Sequence, residues 1–324
     1  MTKQLSRREF IQWSSATALA GAVPLAAPLG AAPPARGPFR GTLCLFSKPV
    51  PQLNWRELAQ AAKQAGFGGI DLTVRPGGHV LPEKVKTDLP KAVETIRAEG
   101  LEVPMITTDL HSADDPAAEP TFSTASKLSI PYLKPGYYRY KFVNVLKELA
   151  EAGKQFRTLI ELASRHHVQV GYHNHEGYIG APVWDMARVI EPLDPRWCGY
   201  YFDLLQATAE GGVGGWKIAA NLVMPRVKML AAKDFYWKQI GPHRWEPQDC
   251  PIGQGMSHWR EFLMMVAQSN FHGPITVHEE YGIPGAARES GIAISRATVD
   301  RVMEEAKRNL DTLKSLLREA YEQA

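Results

Sequence analysis

From residue 41 onward, short apolar, β-branched runs alternate about eight times with longer segments whose apolar residues recur at helical spacing. A two-residue period predicts strands, and a period near 3.6 predicts amphipathic helices. The predicted strands cover residues 41–48, 69–74, 103–109, 130–135, 168–175, 199–203, 227–234 and 274–280. The clearest helices are 143–167, with Val145, Leu149, Phe156, Leu159 and Leu162 on one stripe, and 299–321, with Val302, Met303, Ala306, Leu310, Leu313 and Leu317. Alternation of this kind predicts a parallel α/β fold, and eight units close naturally into a (β/α)8 barrel, a TIM barrel, with helices outside. An open doubly wound sheet would need a Gly-rich turn leaving a strand for a helix. The one candidate, Gly211-Gly212-Val213-Gly214-Gly215, follows Glu210 in a predicted loop. Long loops rich in Pro, Gly and charge follow the second, third and seventh strands (75–83, 111–127 and 237–255). Barrel active sites are built from loops at these carboxyl ends.

The first 32 residues follow another pattern. Ser6-Arg7-Arg8-Glu9-Phe10-Ile11 precedes an Ala- and Gly-rich run that contains Pro24 and Pro28 and ends in small residues. This predicts a cleavable twin-arginine signal, hence export by the twin-arginine translocase to the periplasm or beyond. The prolines and the shortage of Leu and Ile argue against a lasting membrane span. The expected organisation is a leader over residues 1–32 and a single barrel domain over 33–324. The twin-arginine route carries folded proteins, often ones loaded with a cofactor, which draws attention to ligand residues.

With 324 residues, 44% hydrophobic and 22% charged, the chain can bury a large core. Its 37 basic and 34 acidic residues leave a formal charge of +3, too little for a basic field toward nucleic acid or anionic lipid. A small molecule is the expected partner, and oligomerisation is left open. Cys44, Cys198 and Cys250 form neither a disulfide framework nor a zinc motif.

The chemistry-bearing residues cluster at the predicted strand ends. Strand periodicity puts His173 and His175 on one face, as half of a divalent-metal site or as polar lining of a sugar pocket. Asp203 ends an aromatic strand, where a carboxylate needs a partner or a cation, and Gln206 follows within reach of a ligand or hydroxyl. Lys233 emerges from an apolar run beside Asp234, suited to polarising a carbonyl or forming a solvated rim. Glu279 and Glu280 alternate, so one faces inward and the other is a surface acid. Asp71, Arg75 and His79 surround the Gly77-Gly78 turn and are candidates to grip substrate hydroxyl or carboxylate groups.

In their order along the chain, Asp71-Leu-Thr-Val-Arg75-Pro-Gly-Gly-His79, Tyr-His173-Asn-His175, Phe-Asp203, Lys233-Asp234-Phe and Val-His-Glu-Glu280-Tyr resemble the sugar phosphate isomerase/epimerase family. This is the xylose-isomerase-like barrel superfamily, and the resemblance covers residues 41–320. It implies a divalent cation, often manganese, with zinc, iron, cobalt or magnesium as alternatives, held by side chains from strands five to eight. His173, Asp203 and Glu280 take three ligand positions by this resemblance, with His175 or Gln206 compensating. Where many relatives have a seventh-strand His, this chain has Ala231. The implied chemistry is proton abstraction beside a carbonyl of a sugar, keto-sugar or keto-glycoside, giving isomerisation, epimerisation or β-elimination. Lys233, Glu280 and His173 are the expected catalytic groups, with Asp71, Arg75, His79, Gln206 and Asp234 binding substrate. The competing reading is an exported sugar-binding barrel that has lost part of its metal site and its turnover. An apurinic-endonuclease role is disfavoured by the near-neutral charge.

Overall fold

A computed structural model describes residues 37–286 and 291–324, which fall in one compact unit. The predicted leader lies outside the described residues.

Eight parallel strands close into a barrel in the order β1 (Leu43–Phe46), β2 (Gly69–Val74), β3 (Glu102–Thr108), β4 (Tyr132–Lys134), β5 (Gln169–His173), β6 (Cys198–Asp203), β7 (Val227–Ala232) and β10 (Ile275–Val277), which returns to β1. Leu45 registers with Val277 on one side and Ile70 on the other, so the ends of the chain complete the ring. Helices follow each strand in turn: α1 (Trp55–Ala65), α2 (Val85–Ala98), α3 (Ala118–Lys127), α4 (Val145–His166), α5 (Trp184–Ile190), α6 (Leu204–Val223), α7 (Trp259–Gln268) and α8 (Arg296–Gln323). Among the described residues no helix is long and apolar enough to cross a membrane.

Local chemistry sets several of these boundaries. Asn54 caps α1 by accepting the Arg56 and Glu57 N–H groups, Glu57 reaches back to the Asn54 N–H, and Gly66 ends the helix at φ 93°. Every residue of β2 and β6 is buried, as expected of strands covered on both faces. Outward residues such as Leu72 and Phe202 join Leu58, Phe156, Phe262 and Leu310 in the core between barrel and helices. Inward ones form a separate small cluster of Met105, Tyr201, Met229 and Ala231, with Tyr132 against it. Gly171 belongs to this inward row because a Cβ there would collide with the Met229 side chain.

Three sequence expectations change. The stretch 237–255 is largely an antiparallel hairpin rather than a loop, formed by β8 (Asp234–Gly241) and β9 (Arg244–Cys250). The seventh barrel strand therefore ends at Ala232, and several others are shorter than their apolar runs. The Gly-rich run at 211–215 sits inside α6, which breaks at Gly212 (φ 59°, ψ −157°).

Candidate functional site

The two-residue period of the strands carries one inward row from each strand to the carboxyl end of the barrel. Phe46 leads to Lys48, Asp71 to Thr73, Thr107 to Asp109, Tyr132 to Lys134, His173 to His175, Tyr201 to Asp203, Ala231 to Lys233, and His278 to Glu280. A cavity of about 350 Å³ opens over this end, lined by Phe46, Lys48, Arg75, Thr107, Asp109, Lys134, Tyr137, His173, His175, Tyr178, Tyr201, His278 and Glu280. A larger cavity of about 660 Å³ lies beside the start of β1 and the end of α8. It has no histidine and one carboxylate, Glu322, so the chemistry belongs to the smaller cavity.

At the cavity floor and just beneath it, ionised groups are paired almost atom for atom. The Lys233 ammonium, 3% exposed, lies 2.9 Å from Asp203 Oδ2 and 3.3 Å from Glu280 Oε2. Lys48 Nζ holds the other Glu280 oxygen at 2.6 Å. Asp203 Oδ1 accepts the Gln206 N–H at 3.2 Å, capping α6. Asn174 bridges β5 to β6, its side chain accepting the Asp203 N–H and donating to the Asp203 carbonyl. Burial acts to raise the Asp203 and Glu280 carboxyls, but Lys233 and the other donors outweigh it and hold both below the usual carboxylate range. Burial likewise acts against the Lys233 charge, yet Asp203 and Glu280 carry its pKa above the ordinary lysine value.

Tautomers follow from the partners. Asp203 can only accept at 3.2 Å, so His173 Nε2 donates to it, and Nδ1 accepts the Tyr137 O–H at 2.6 Å. His278 Nδ1 donates to Glu280 at 3.4 Å, and its Nε2 accepts the Tyr201 O–H at 2.9 Å. Burial lowers both pKa values, so both rings are neutral with both nitrogens engaged. His175 Nδ1 donates to the Glu176 carbonyl at 3.0 Å, leaving the lone pair on Nε2. Its pKa is lowered to about 4, by burial first and the Lys233 charge second.

The candidates separate accordingly. His173, His175, Asp203, Lys233 and Glu280 come together, and Arg75 lines the same cavity. Asp71 lies under the floor, accepting the Thr107 hydroxyl at 2.8 Å, with burial pushing its pKa up to about 7 despite that bond. His79 is folded away from the mouth, because the Gly77-Gly78 turn brings its N–H and Nδ1 back to Thr73 Oγ1 at 3.1 and 3.3 Å. Gln206 is a brace whose side-chain oxygen accepts the Glu176 N–H at 2.8 Å. Asp234 does not face the cavity: its carboxylate gathers the N–H groups of Phe235, Gly253, Gly255 and Ser257 at 2.9–3.2 Å. Glu279 is no surface acid. It points outward from the barrel, is 3% exposed near Asn309 of α8, and burial raises its pKa well above the carboxylate range.

Lys48, Asp109, Lys134 and His278 escaped the sequence reading although each continues an inward row, a signal that strand parity carries. Tyr137 and Tyr178 come from loops, where no period points to them. Lys134 Nζ sits 3.4 Å from the Tyr137 ring centroid, and Tyr178 stacks on Tyr137 at 4.3 Å.

A divalent cation does not fit this donor set. Metal–ligand bonds of roughly 2.0–2.5 Å need free lone pairs converging on one point, whereas the oxygens nearest the seat, Asp203 Oδ2 and Glu280 Oε2, each already take two donors, Lys233 together with His173 or His278, and both His173 nitrogens are used. Among the described residues no group of three or more His, Cys, Asp or Glu is placed to hold a metal ion. The expected set of His173, His175, Asp203 and Glu280 is therefore a collection of neighbours around an ammonium.

Over residues 59–301 the sequence matches the family described as xylose isomerase-like TIM barrel. Solved structures share the fold at low identity. The L-ribulose 3-epimerase superposes with a TM-score of 0.64 at 12% identity, covering 87% of this chain and 96% of that one. A xylose isomerase-like TIM barrel protein from Mycobacterium smegmatis, in complex with magnesium, gives 0.62 at 16%, covering 87% and 98%. The 3-keto-D-glucoside 4-epimerase from E. coli gives 0.59 at 12%, covering 85% and 99%. No curated protein matches the sequence.

Proposed function

The chain belongs to the xylose isomerase-like TIM barrel family, and from that premise we propose that it is a sugar isomerase- or epimerase-type enzyme moving a proton on the carbon beside a carbonyl. The carrying observation is the cavity lining, in which an ionised Glu280 stands among Lys48, Arg75 and Lys134 between aromatic walls. Phe46, Tyr137 and Tyr178 offer the flat apolar surface that one face of a sugar ring packs against. Glu280 is held by Lys48 and Lys233 and takes the proton. Lys48 and Lys134 face the oxygen that becomes an enolate, where fixed positive charge lowers the barrier. Burial first, and then Arg75, lower the Lys134 pKa well below the ordinary value, so its ammonium gives up a proton to that oxygen more readily than a solvated lysine would. Isomerisation, epimerisation and β-elimination share this step. The names of the similar structures, epimerases of ribulose and of a 3-keto-glucoside, favour a ketose or keto-glycoside as substrate.

The test is solvent exchange. Incubated with ketoses and 3-keto-glycosides in D2O, the protein should place deuterium on the carbon beside the carbonyl, seen by NMR. Glu280→Gln should slow this by about 10²-fold or more. Absence of exchange on every sugar tried, with binding retained, would make the sugar-binding barrel the better reading.

Export is part of the same proposal, supported by Arg7-Arg8 and the Ala-rich run after them. Replacing both arginines by lysine should leave the protein in the cytoplasm on fractionation, and unchanged export would overturn it.

A further inference from the structure

The resemblance that led to Asp203 and Glu280 implies a divalent cation between them, yet the seat is taken by the chain itself. On β7 the inward row runs from Ala231 to Lys233. Ala231, where the resemblance led to the expectation of a histidine, is a buried methyl packed with Met105, Tyr201 and Met229. With no imidazole there, the next inward residue reaches across, and Lys233 Nζ settles 2.9 Å from one carboxylate and 3.3 Å from the other.

We propose that Lys233 is a built-in cation whose ammonium takes the seat a divalent metal would need, so that this barrel folds and works without one. Two features carry this. The charges close: Asp203 and Glu280 are matched by Lys233 and Lys48, and an added dication would leave two positive charges in excess at the seat. The imidazole nearest the seat, His173, spends Nε2 on Asp203 and Nδ1 on Tyr137.

Lys233 does not line the cavity, so it is a positioning residue rather than one that touches substrate. It fixes Glu280, while the charge facing the substrate oxygen comes from Lys48 and Lys134. That use of the charge rests on the enzymatic reading above, whereas the seat itself stands apart from it.

Protein made without a polyhistidine tag and purified without chelator should carry far less than one equivalent of any divalent metal by elemental analysis. Calorimetric titration with MnCl2 should show no saturable site, and neither MnCl2 nor EDTA should move the thermal midpoint. One tightly bound Mn per chain, or a midpoint lowered by EDTA, overturns the proposal whether or not any sugar is turned over. Lys233→Met paired with Ala231→His frees the two carboxylates and restores a nitrogen ligand, so this variant should gain a saturable Mn site. A folded double variant that binds no Mn overturns the claim that lysine and metal share a seat. Should the double variant not fold, the wild-type titration still decides. If exchange activity is found, Lys233→Met should lower kcat at least tenfold with KM changed less than threefold, and Lys233→Arg should recover part of kcat. A drop expressed mainly in KM overturns the positioning role. Exchange that fails for wild type while the metal results hold counts against the enzymatic reading alone.

Discussion

At the scale of single residues, the partners decide what each group can do. Asp71 and Asp203 are both fully buried carboxylates on inward rows, yet their proton affinities are shifted in opposite directions. Asp203 has an ammonium and an imidazole N–H, and stays ionised. Asp71 has the Thr107 hydroxyl and the more distant charges of Arg75 and Lys134, and desolvation outweighs them, pushing it up to about 7 from 3.8. The consequence is a measurable pH dependence. Because the folded protein holds the Asp71 proton more tightly than the unfolded chain, this group's contribution is fully present below about pH 4 and is lost as pH rises through about 7. Asn at position 71 keeps the shape without titrating. The stability of Asp71→Asn relative to wild type should therefore rise across that window, by up to about 1.4 kcal/mol per pH unit. The lowered histidines are common to both proteins and cancel. Urea unfolding at pH 4.5, 6 and 8 checks this, and a flat difference would refute the raised pKa of Asp71.

At the scale of elements, the hairpin after β7 is the feature that the hydrophobic pattern concealed. Its strands alternate poorly, with Tyr236, Trp237, Ile240 and Trp245 all partly exposed, so the stretch read as a loop. Its base is organised by one side chain. Asp234 collects four N–H groups from β8 and from the turn before α7, and Gly255 is packed so closely on that carboxylate that a Cβ there would collide with it. Asp234→Ala should destabilise the protein by about 2–4 kcal/mol, since buried donors lose their acceptor. It should also raise hydrogen exchange at Gly253, Gly255 and Ser257 ahead of the barrel strands. Unchanged protection at those amides would mean that the loop holds itself without the carboxylate.

At the scale of the whole molecule, closure joins residues more than two hundred positions apart. Lys48 after β1 grips Glu280 after β10, and α8 lies beside α1 as well as α7. Leu310, fully buried in α8, is part of the main core shared by all these helices. Leu310→Ala should cost about 2–5 kcal/mol. The loss should appear as one cooperative shift of the unfolding curve, because a closed ring cannot release one helix alone. A separate early transition of the last helix would contradict that picture.

Periodicity along the chain determined the barrel, the count of its strands and the end at which polar residues gather, because strand parity and helical stripes are local properties written residue by residue. It also placed His173, His175, Asp203, Lys233 and Glu280 at neighbouring strand ends. Parity also points to Lys134 at the end of β4 and to Lys48, Asp109 and His278 just past β1, β3 and β10. What only the tertiary structure decided is which lone pairs remain free. Whether Asp203 and Glu280 face a metal or an ammonium depends on where the Lys233 stem crosses the barrel, Gln206 and Asp234 turn away because backbone donors reach them first, and His79 turns away to the Thr73 hydroxyl. Those are distances between strands far apart in sequence, and no one-dimensional pattern contains them.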